Sequence, residues 1–267
     1  MGGITDMRQV LAALDRSPAA KPVLAAARAL AALLGAEVTA LHVKVDGTDV
    51  PRSLVTEAGV PLRVVDGDVV TRIVEAASVD EVAALVIGAR AMPADPQPLS
   101  PVAVVVATTV AKPVLVVPPQ ADPHASYSRV LVPLEGTAAT SLAPRPLIEL
   151  AMDVGLDVVV LHVLGPDTMP AFTDQPQHEY AVWGSEFLAR HCPWGSGAVR
   201  LETRLGRSED LVPLVARESG CELIVLGWSQ EFTAGRARVV RATLQRTNVP
   251  VMLVSVRALS TLAGAAG

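Results

Sequence analysis

Two copies of one sequence pattern follow each other along the chain, and this internal repeat constrains the fold more than any other feature. Ala13-Leu14-Asp15 corresponds to Pro133-Leu134-Glu135 at a distance of 120 residues. Leu41-His42-Val43 corresponds to Leu161-His162-Val163 at the same distance. A repeat of this length indicates a duplicated structural unit.

The second copy carries an insert. Gly67 matches Gly206, and Gly88 matches Gly227, both at a distance of 139 residues. The second copy is therefore 19 residues longer (139 − 120) between its second and third strands. We place this insert at about 164–197, a stretch rich in Pro, Asp and Gln, with a helix expected only near 186–191.

Each copy alternates short apolar runs with helical patterns, which is typical of βαβ units in a parallel sheet. The runs are apolar on consecutive residues, so both faces of each strand are expected to be covered. The predicted strands are 10–14, 38–43, 62–65, 85–87 and 114–117, followed by 130–134, 158–163, 199–203, 223–226 and 251–254. The predicted fold class is α/β, with one domain over 1–120, a second over 128–257 and a flexible tail over 258–267.

Composition excludes several functions. The net charge of −5 and the absence of basic runs argue against a nucleic-acid partner. The most apolar stretch, 102–117, is broken by Lys112-Pro113, so no membrane span is predicted. Cys192 and Cys221 have neither disulfide nor metal-ligand spacing, and with no secretory signal they favour a cytoplasmic protein without a bound metal.

These features together resemble the universal stress protein family over nearly the whole chain. The resemblance rests on an acidic residue after strand one, Leu-His-Val ending strand two, glycine after strand four and the closing Pro-Val-Leu-Val-Val of 113–117. Asp15-Arg16-Ser17-Pro18 is similar to the family's Asp-Gly-Ser opening, and Glu135-Gly136-Thr137 echoes it. The resemblance implies two Rossmann-like domains, similar to the adenine nucleotide α-hydrolase-like group, each with a five-stranded, mainly parallel sheet flanked by helices.

The resemblance also implies a ligand position, at the carboxyl ends of the strands. Nucleotide-binding members carry Gly, two residues, Gly, nine residues, then Gly-Ser or Gly-Thr after strand four. The glycines let backbone amides approach phosphates at a helix N-terminus. In the first half Gly88 is present, but Ala91 replaces the second glycine, and the closing pair falls at Ser100-Pro101 or Pro101-Val102, depending on the alignment of the loop. In the second half Gly227 is followed by Trp228-Ser229-Gln230, and Ala237-Arg238 replaces the closing pair.

We therefore predict that any adenine nucleotide, such as ATP or AMP, or another anion, binds weakly in the second half, where arginines and the helix dipole could hold it. The alternative is that these arginines only form a solvated basic face of the helix and hold no anion. The predicted nucleotide-binding residues are Glu135, Val163, Gly227, Trp228, Ser229, Gly235, Arg236, Ala237 and Arg238, with Asp15 and Gly88 in the first half. His42 and His162 are expected to be structural.

The predicted function is a stress-response or regulatory binding protein that is not an enzyme, or at most a weak nucleotide hydrolase. The resemblance implies that the two halves form an intramolecular pseudo-dimer, with the fifth strands 114–117 and 251–254 in contact, and a homodimer or protein partner is also open. The insert concentrates aromatic residues over 170–194, namely Phe172, Tyr180, Trp183, Phe187 and Trp194. Aromatic residues are enriched at interface cores, so the alternative function is a protein-interaction scaffold that does not bind nucleotides. A local helix that packs its own apolar side is the other explanation for this segment.

Overall fold

One ten-stranded β-sheet runs through the chain in the computed structural model, which describes residues 8–45, 50–90, 98–135, 142–165, 176–192, 199–232 and 237–255. The strands are β1 (Gln9–Ala13), β2 (Glu37–Lys44), β3 (Leu62–Asp66), β4 (Val82–Gly88), β5 (Val114–Val117), β6 (Arg129–Pro133), β7 (Asp157–Leu164), β8 (Val199–Leu205), β9 (Leu223–Trp228) and β10 (Val251–Ser255). The spatial order is β3-β2-β1-β4-β5-β10-β9-β6-β7-β8.

Helices cover both faces of this sheet. Those in the described ranges are α1 (Ala20–Leu34), α2 (Arg52–Glu57), α3 (Val69–Ala77), α4 (Pro101–Thr109), α5 (Arg145–Asp153), α6 (Pro176–His191), α7 (Ser208–Glu218) and α8 (Arg238–Arg246). One core cluster contains the buried side chains of α1, α2 and α5 with Phe187 of α6, and the opposite cluster contains those of α3, α4, α7 and α8. The predicted α/β fold is confirmed, and coverage on both faces explains why the strands are apolar at consecutive residues.

The two halves have the same strand order, and the order of the second half runs in the opposite direction across the sheet. Pairing is parallel within β3-β2-β1-β4-β5 and within β8-β7-β6-β9-β10. Gly67 (φ +130°) and Gly206 (φ +147°), which match in the sequence repeat, both take the left-handed backbone conformation that favours glycine. The repeat in the sequence is therefore also a repeat in backbone conformation.

The halves meet at the centre of the sheet, where β5 and β10 pair antiparallel, with Val116 opposite Val251 and Leu115 opposite Met252. This confirms the predicted contact between the fifth strands. The connecting segment 118–128 forms neither helix nor strand. The division into domains 1–120 and 128–257 stays a prediction, and the tail 258–267 lies outside the described residues.

The insert differs from its prediction. Its helix, α6, begins at Pro176 and not near 186, while 166–175 and 193–198 lie outside the described residues. Trp183, Phe187 and His191 recur at intervals of four residues, which places them on one helix face. No helix in the described part of the chain combines the length and apolar character that crossing a membrane requires.

Candidate functional site

A cavity of about 410 Å³ opens above the sheet in the first half. It lies at the carboxyl ends of β1, β2 and β4, below the first turns of α3 and α4. The chain leaves β1 toward β2 on one side and later returns to β4 on the other, so β1 and β4 flank the point where the strand order reverses. Ligands of open α/β sheets bind at such a switch point.

The walls of the cavity are mainly apolar. Leu41, Ile73, Ile87 and Val106 line it and are almost fully buried. The exposed Asp15 lies at its rim, where its carboxylate accepts hydrogen bonds from the backbone N–H and the hydroxyl of Ser17 at 2.9 and 2.7 Å. An apolar pocket with a few fixed polar groups is typical of a small-molecule site.

His42 supplies one of these polar groups from the end of β2. Its side chain is 4% exposed, and its Nδ1 lies 2.9 Å from the carbonyl oxygen of Leu14. Because a carbonyl oxygen only accepts, Nδ1 carries the proton and donates it to this bond. The other ring nitrogen, Nε2, is buried and has no hydrogen-bond partner.

Arg90 supplies the second polar group, two residues after β4. It is 6% exposed and lines the cavity. One terminal nitrogen reaches the carbonyl oxygens of Pro98 and Leu244, each at 3.4 Å, while the buried Nε has no hydrogen-bond partner. Among the described residues, no carboxylate forms an ion pair with this guanidinium.

Ser100 begins α4 beside the cavity. Its hydroxyl accepts from the backbone N–H of Ala103 at 3.2 Å, and Pro101 fills the first helical position. Proline has no N–H, so of the first three residues of the helix only Val102 offers a free backbone donor. The helix N-terminus therefore has limited capacity for phosphate oxygens.

The counterpart of His42 in the second half, His162, has different surroundings. His162 repeats the geometry of His42, with Nδ1 2.9 Å from the carbonyl oxygen of Leu134. The ring centroids of Trp183 and Phe187 lie 5.5 and 4.6 Å from that of His162, and the ring of His191 lies 4.6 Å from that of Phe187. Burial lowers the pKa of His191, assisted by the charges of Arg190 and His162. The insert helix α6 therefore covers His162, whereas His42 lines an open cavity.

This packing also places the aromatic residues of the insert. Phe187 is buried and Trp183 half-buried against the sheet, so both contribute to the local core. Phe172 and Trp194 lie outside the described residues, and for Tyr180 only the backbone is described. The described aromatic side chains agree with a helix that packs its own apolar side.

The predicted nucleotide-binding residues lie in both halves of the chain and differ in their exposure. Asp15 and Gly88 line the first cavity. In the second half Glu135 is exposed after β6, while Val163 and Gly227 are half-buried in β7 and β9. Trp228 is 6% exposed and stands edge-on to Phe232 with centroids 6.1 Å apart, so its ring belongs to the core. Ser229 is half-buried.

The predicted anion site at α8 is only partly described. Ala237 takes a left-handed conformation (φ +53°) and gives α8 no side-chain cap, and Arg238 is exposed at the first helical position. Gly235 and Arg236 lie outside the described residues. Arg241 stacks on the ring of Phe232, 4.5 Å from its centre, and donates to the Phe232 carbonyl. Arg241 therefore has a packing role in the second half.

The sequence analysis did not name Arg90 and expected His42 to be structural, and the structure places both residues along the cavity. The signal for Arg90 was a basic residue directly after an apolar strand, in Gly88-Ala89-Arg90. The free Nε2 of His42 had no sequence signal, because it depends on what packs beside the ring. Among the described residues no group of three His, Cys, Asp or Glu side chains could hold a metal ion.

The fold and the crevice define a class: an open, mainly parallel α/β sheet of the Rossmann-like kind with a crevice at its switch point. Residues 126–255 match the model of the Universal stress protein family. The chain therefore carries a domain of the universal stress protein family, and the resemblance seen in the sequence is confirmed. No curated protein matches the chain.

Solved structures share this architecture over nearly the whole chain. A functionally unknown protein from Pseudomonas aeruginosa PAO1 matches with a TM-score of 0.67 and 13% identity, covering 97% of both chains. A universal stress protein from Archaeoglobus fulgidus matches with a TM-score of 0.62 and 16% identity, covering 92% of this chain and 96% of the other. At these identities the matches establish the fold.

Proposed function

We propose that this protein is a non-catalytic regulatory protein of the stress response that binds a small molecule in the crevice of its first half. The observation that supports this proposal most directly is the cavity of about 410 Å³ at the switch point between β1 and β4. Small-molecule sites have volumes of about 300–1,000 Å³ and are mainly apolar with a few placed polar groups. The first-half crevice has all three properties.

An adenine nucleotide is the first candidate ligand. The family resemblance supports it, and so does the division of the crevice into apolar walls and polar ends. Leu41, Ile73 and Val106 offer apolar contact for a flat ring, while Arg90 offers a cation. The two ends could therefore hold the base and the phosphate of one molecule.

The first half is favoured over the second because equivalent positions differ in what covers them. His42 lines a cavity, but α6 packs Trp183 and Phe187 against His162. The counterpart of Gly88-Ala89 is Gly227-Trp228, whose indole fills space in the core. The second-half site predicted from the sequence stays the alternative location.

A binding role is favoured over catalysis by the chemistry of the crevice. Of the residues that the structure places along the cavity, Ser100 carries the one hydroxyl, and that hydroxyl caps α4. The proton of the His42 ring is donated to Leu14. This arrangement provides no nucleophile activated by a neighbouring base.

Isothermal titration of the full chain with ATP, ADP and AMP tests the proposal. Val102 lies at the cavity rim, 38% exposed, so Val102→Trp should fill the crevice without disturbing the core. Val239 is its counterpart in α8, 137 residues later, and Val239→Trp is the matched control. We expect Val102→Trp to abolish binding and Val239→Trp to retain it. Loss of binding only in Val239→Trp would move the site to the second half, and absence of heat with the unsubstituted chain at millimolar ligand would overturn the proposal.

A further inference from the structure

We infer that a second cavity, at the junction of the two halves, is a binding site for a small apolar molecule the size of benzene. This junction cavity has a volume of about 120 Å³ and lies where the end of α1 meets the start of α5. The described residues that line it are all different from those that line the first-half crevice. The inference is therefore independent of the proposed function.

Both halves supply the walls of the junction cavity. The first half contributes Leu30 and Leu34 of α1 and Ala84 of β4. The second half contributes Leu147 of α5 and Met252 of β10. Leu30, Ala84 and Met252 are at most 1% exposed, whereas Leu34 and Leu147 are half-buried, so the cavity extends from the core toward the surface between the two helices. A ligand in this cavity would contact both halves at once.

The sequence repeat explains why space is left at this place. Ala84 pairs with Val10 in the sheet, and Leu223 pairs with Val130. Val10 and Val130 are 120 residues apart, so Ala84 and Leu223 are equivalent positions of the two halves. Both belong to the same core cluster, and Leu223 is fully buried, so its longer side chain fills volume that Ala84 leaves open. The junction cavity therefore follows from a small side chain at position 84.

The chemistry of the walls selects an apolar ligand. Among the described lining residues only Ser255 carries a hydroxyl, and this hydroxyl donates to Oε1 of Gln230 at 2.8 Å. The others are Leu, Ala, Pro, Met and Val, whose side chains offer no hydrogen-bond donor. A buried water needs about two to four polar partners, and apolar cavities of about 150 Å³ stay dry and bind benzene or xenon. A polar ligand would give up hydrogen bonds to water without replacement.

Filling the junction cavity should stabilise the whole chain. Atoms that line an empty cavity lack van der Waals contacts on one side, and a ligand of matching size restores those contacts. Here the restored contacts belong to α1 and β4 of one half and to α5 and β10 of the other. A ligand that binds only the folded chain raises its stability in proportion to the logarithm of site occupancy. Unfolding therefore reports on binding.

The test uses two probes on the full chain: benzene, and phenol, which has nearly the same size but adds a hydroxyl. For an apolar ligand of this size we expect a Kd on the order of 1 mM. At about 10 mM benzene the equilibrium constant for folding should then rise about tenfold, measured by urea unfolding. Phenol should bind at least about fivefold more weakly, because the cavity offers its hydroxyl no partner. Ligand-observed NMR measures both affinities directly.

Three variants locate the binding site. Ala84→Leu introduces the side chain that the other half has at Leu223, and should weaken benzene binding at least about tenfold. Leu147→Ala introduces the side chain of its counterpart Ala27, 120 residues earlier, and enlarges the cavity. Leu147→Ala should therefore bind naphthalene at least about tenfold more tightly than the unsubstituted chain does. Val102→Trp fills the first-half crevice and should leave benzene binding unchanged. Circular dichroism checks that each variant is folded.

Several outcomes would overturn the inference. Benzene binding that persists in Ala84→Leu but is lost in Val102→Trp would place the ligand in the crevice. Equal affinities for benzene and phenol would contradict the apolar character of the site, and absence of benzene binding to the unsubstituted chain would refute the site itself. Binding gained only after Leu259→Ser and Leu262→Ser would identify the C-terminal segment that follows Ser255 as the occupant. None of these results affects the titrations with ATP, ADP and AMP, so the proposed function is tested separately.

Discussion

Cys192 and Cys221 are each 4% exposed, and burial raises the pKa of both thiols to about 11. The thiolate is the reactive form, and at pH 8 a thiol with this pKa is only about 0.1% ionised. We expect neither cysteine of the native chain to react with iodoacetamide within an hour at pH 8. Intact-mass spectrometry checks this, with the urea-unfolded chain, which should take up two labels, as the control. Rapid labelling of the native chain would show that one thiol is accessible.

Each half of the molecule uses the loop after its fourth strand to contact the C-terminal end of the other half's last helix. Gln230 donates from its Nε2 to the carbonyl oxygens of Val110 and Ala107 at the end of α4, at 2.8 and 3.4 Å. Arg90 reaches the carbonyl of Leu244 in the last turn of α8. The last carbonyls of a helix lack partners within the helix, so these side chains satisfy acceptors that would otherwise be unpaired.

Replacement of Gln230 tests this contact between elements. Gln230→Ala removes the donors to α4 and the acceptor of the Ser255 hydroxyl at 2.8 Å, so we expect a loss of about 1–2 kcal/mol in the free energy of unfolding. Gln230 has φ +61°, a conformation that glycine adopts without strain. Gln230→Gly should therefore lose less stability than Gln230→Ala in urea unfolding. An alanine variant as stable as the unsubstituted chain would show that this contact does not stabilise the seam, the junction of the two halves where β5 pairs with β10.

The limits of sequence-based prediction also appear at the level of elements. Buried parallel strands such as β5 and β7 were predicted within one residue, because their apolar runs end where coverage by helices ends. Only the last turns of α6 were predicted, because its first turn begins in a polar, proline-containing stretch without apolar periodicity. The predicted site in the second half stays a prediction. The presence of an open cavity in the first half had no clear sequence signal. It depends on whether α2 or the longer α6 lies beside the second strand, and on the side chain after Gly88 or Gly227.

At the scale of the whole molecule, the antiparallel pairing of β5 and β10 merges two sheets into one. The paired side chains Val114, Leu115, Val116, Val251, Met252 and Leu253 are all at most 1% exposed. Leu115 and Met252 lie opposite each other and belong to the same core cluster, which contains residues of both halves. The seam is therefore a continuous part of the core, and the two halves should lose stability together when it is weakened.

A double-mutant cycle across the seam measures this coupling. Leu115→Ala and Met252→Ala each remove a fully buried side chain and should each lower the free energy of unfolding by about 2–5 kcal/mol. Because the two side chains are opposite each other, the double variant should deviate from additivity by about 0.5–3 kcal/mol. The control pairs Met252→Ala with Leu41→Ala, which lies on β2 in the opposite core cluster and should be additive. Guanidinium unfolding of the full chain followed by circular dichroism gives the four free energies of each cycle. Additivity of the Leu115 and Met252 substitutions would mean that the halves are stabilised independently and that the seam only aligns them.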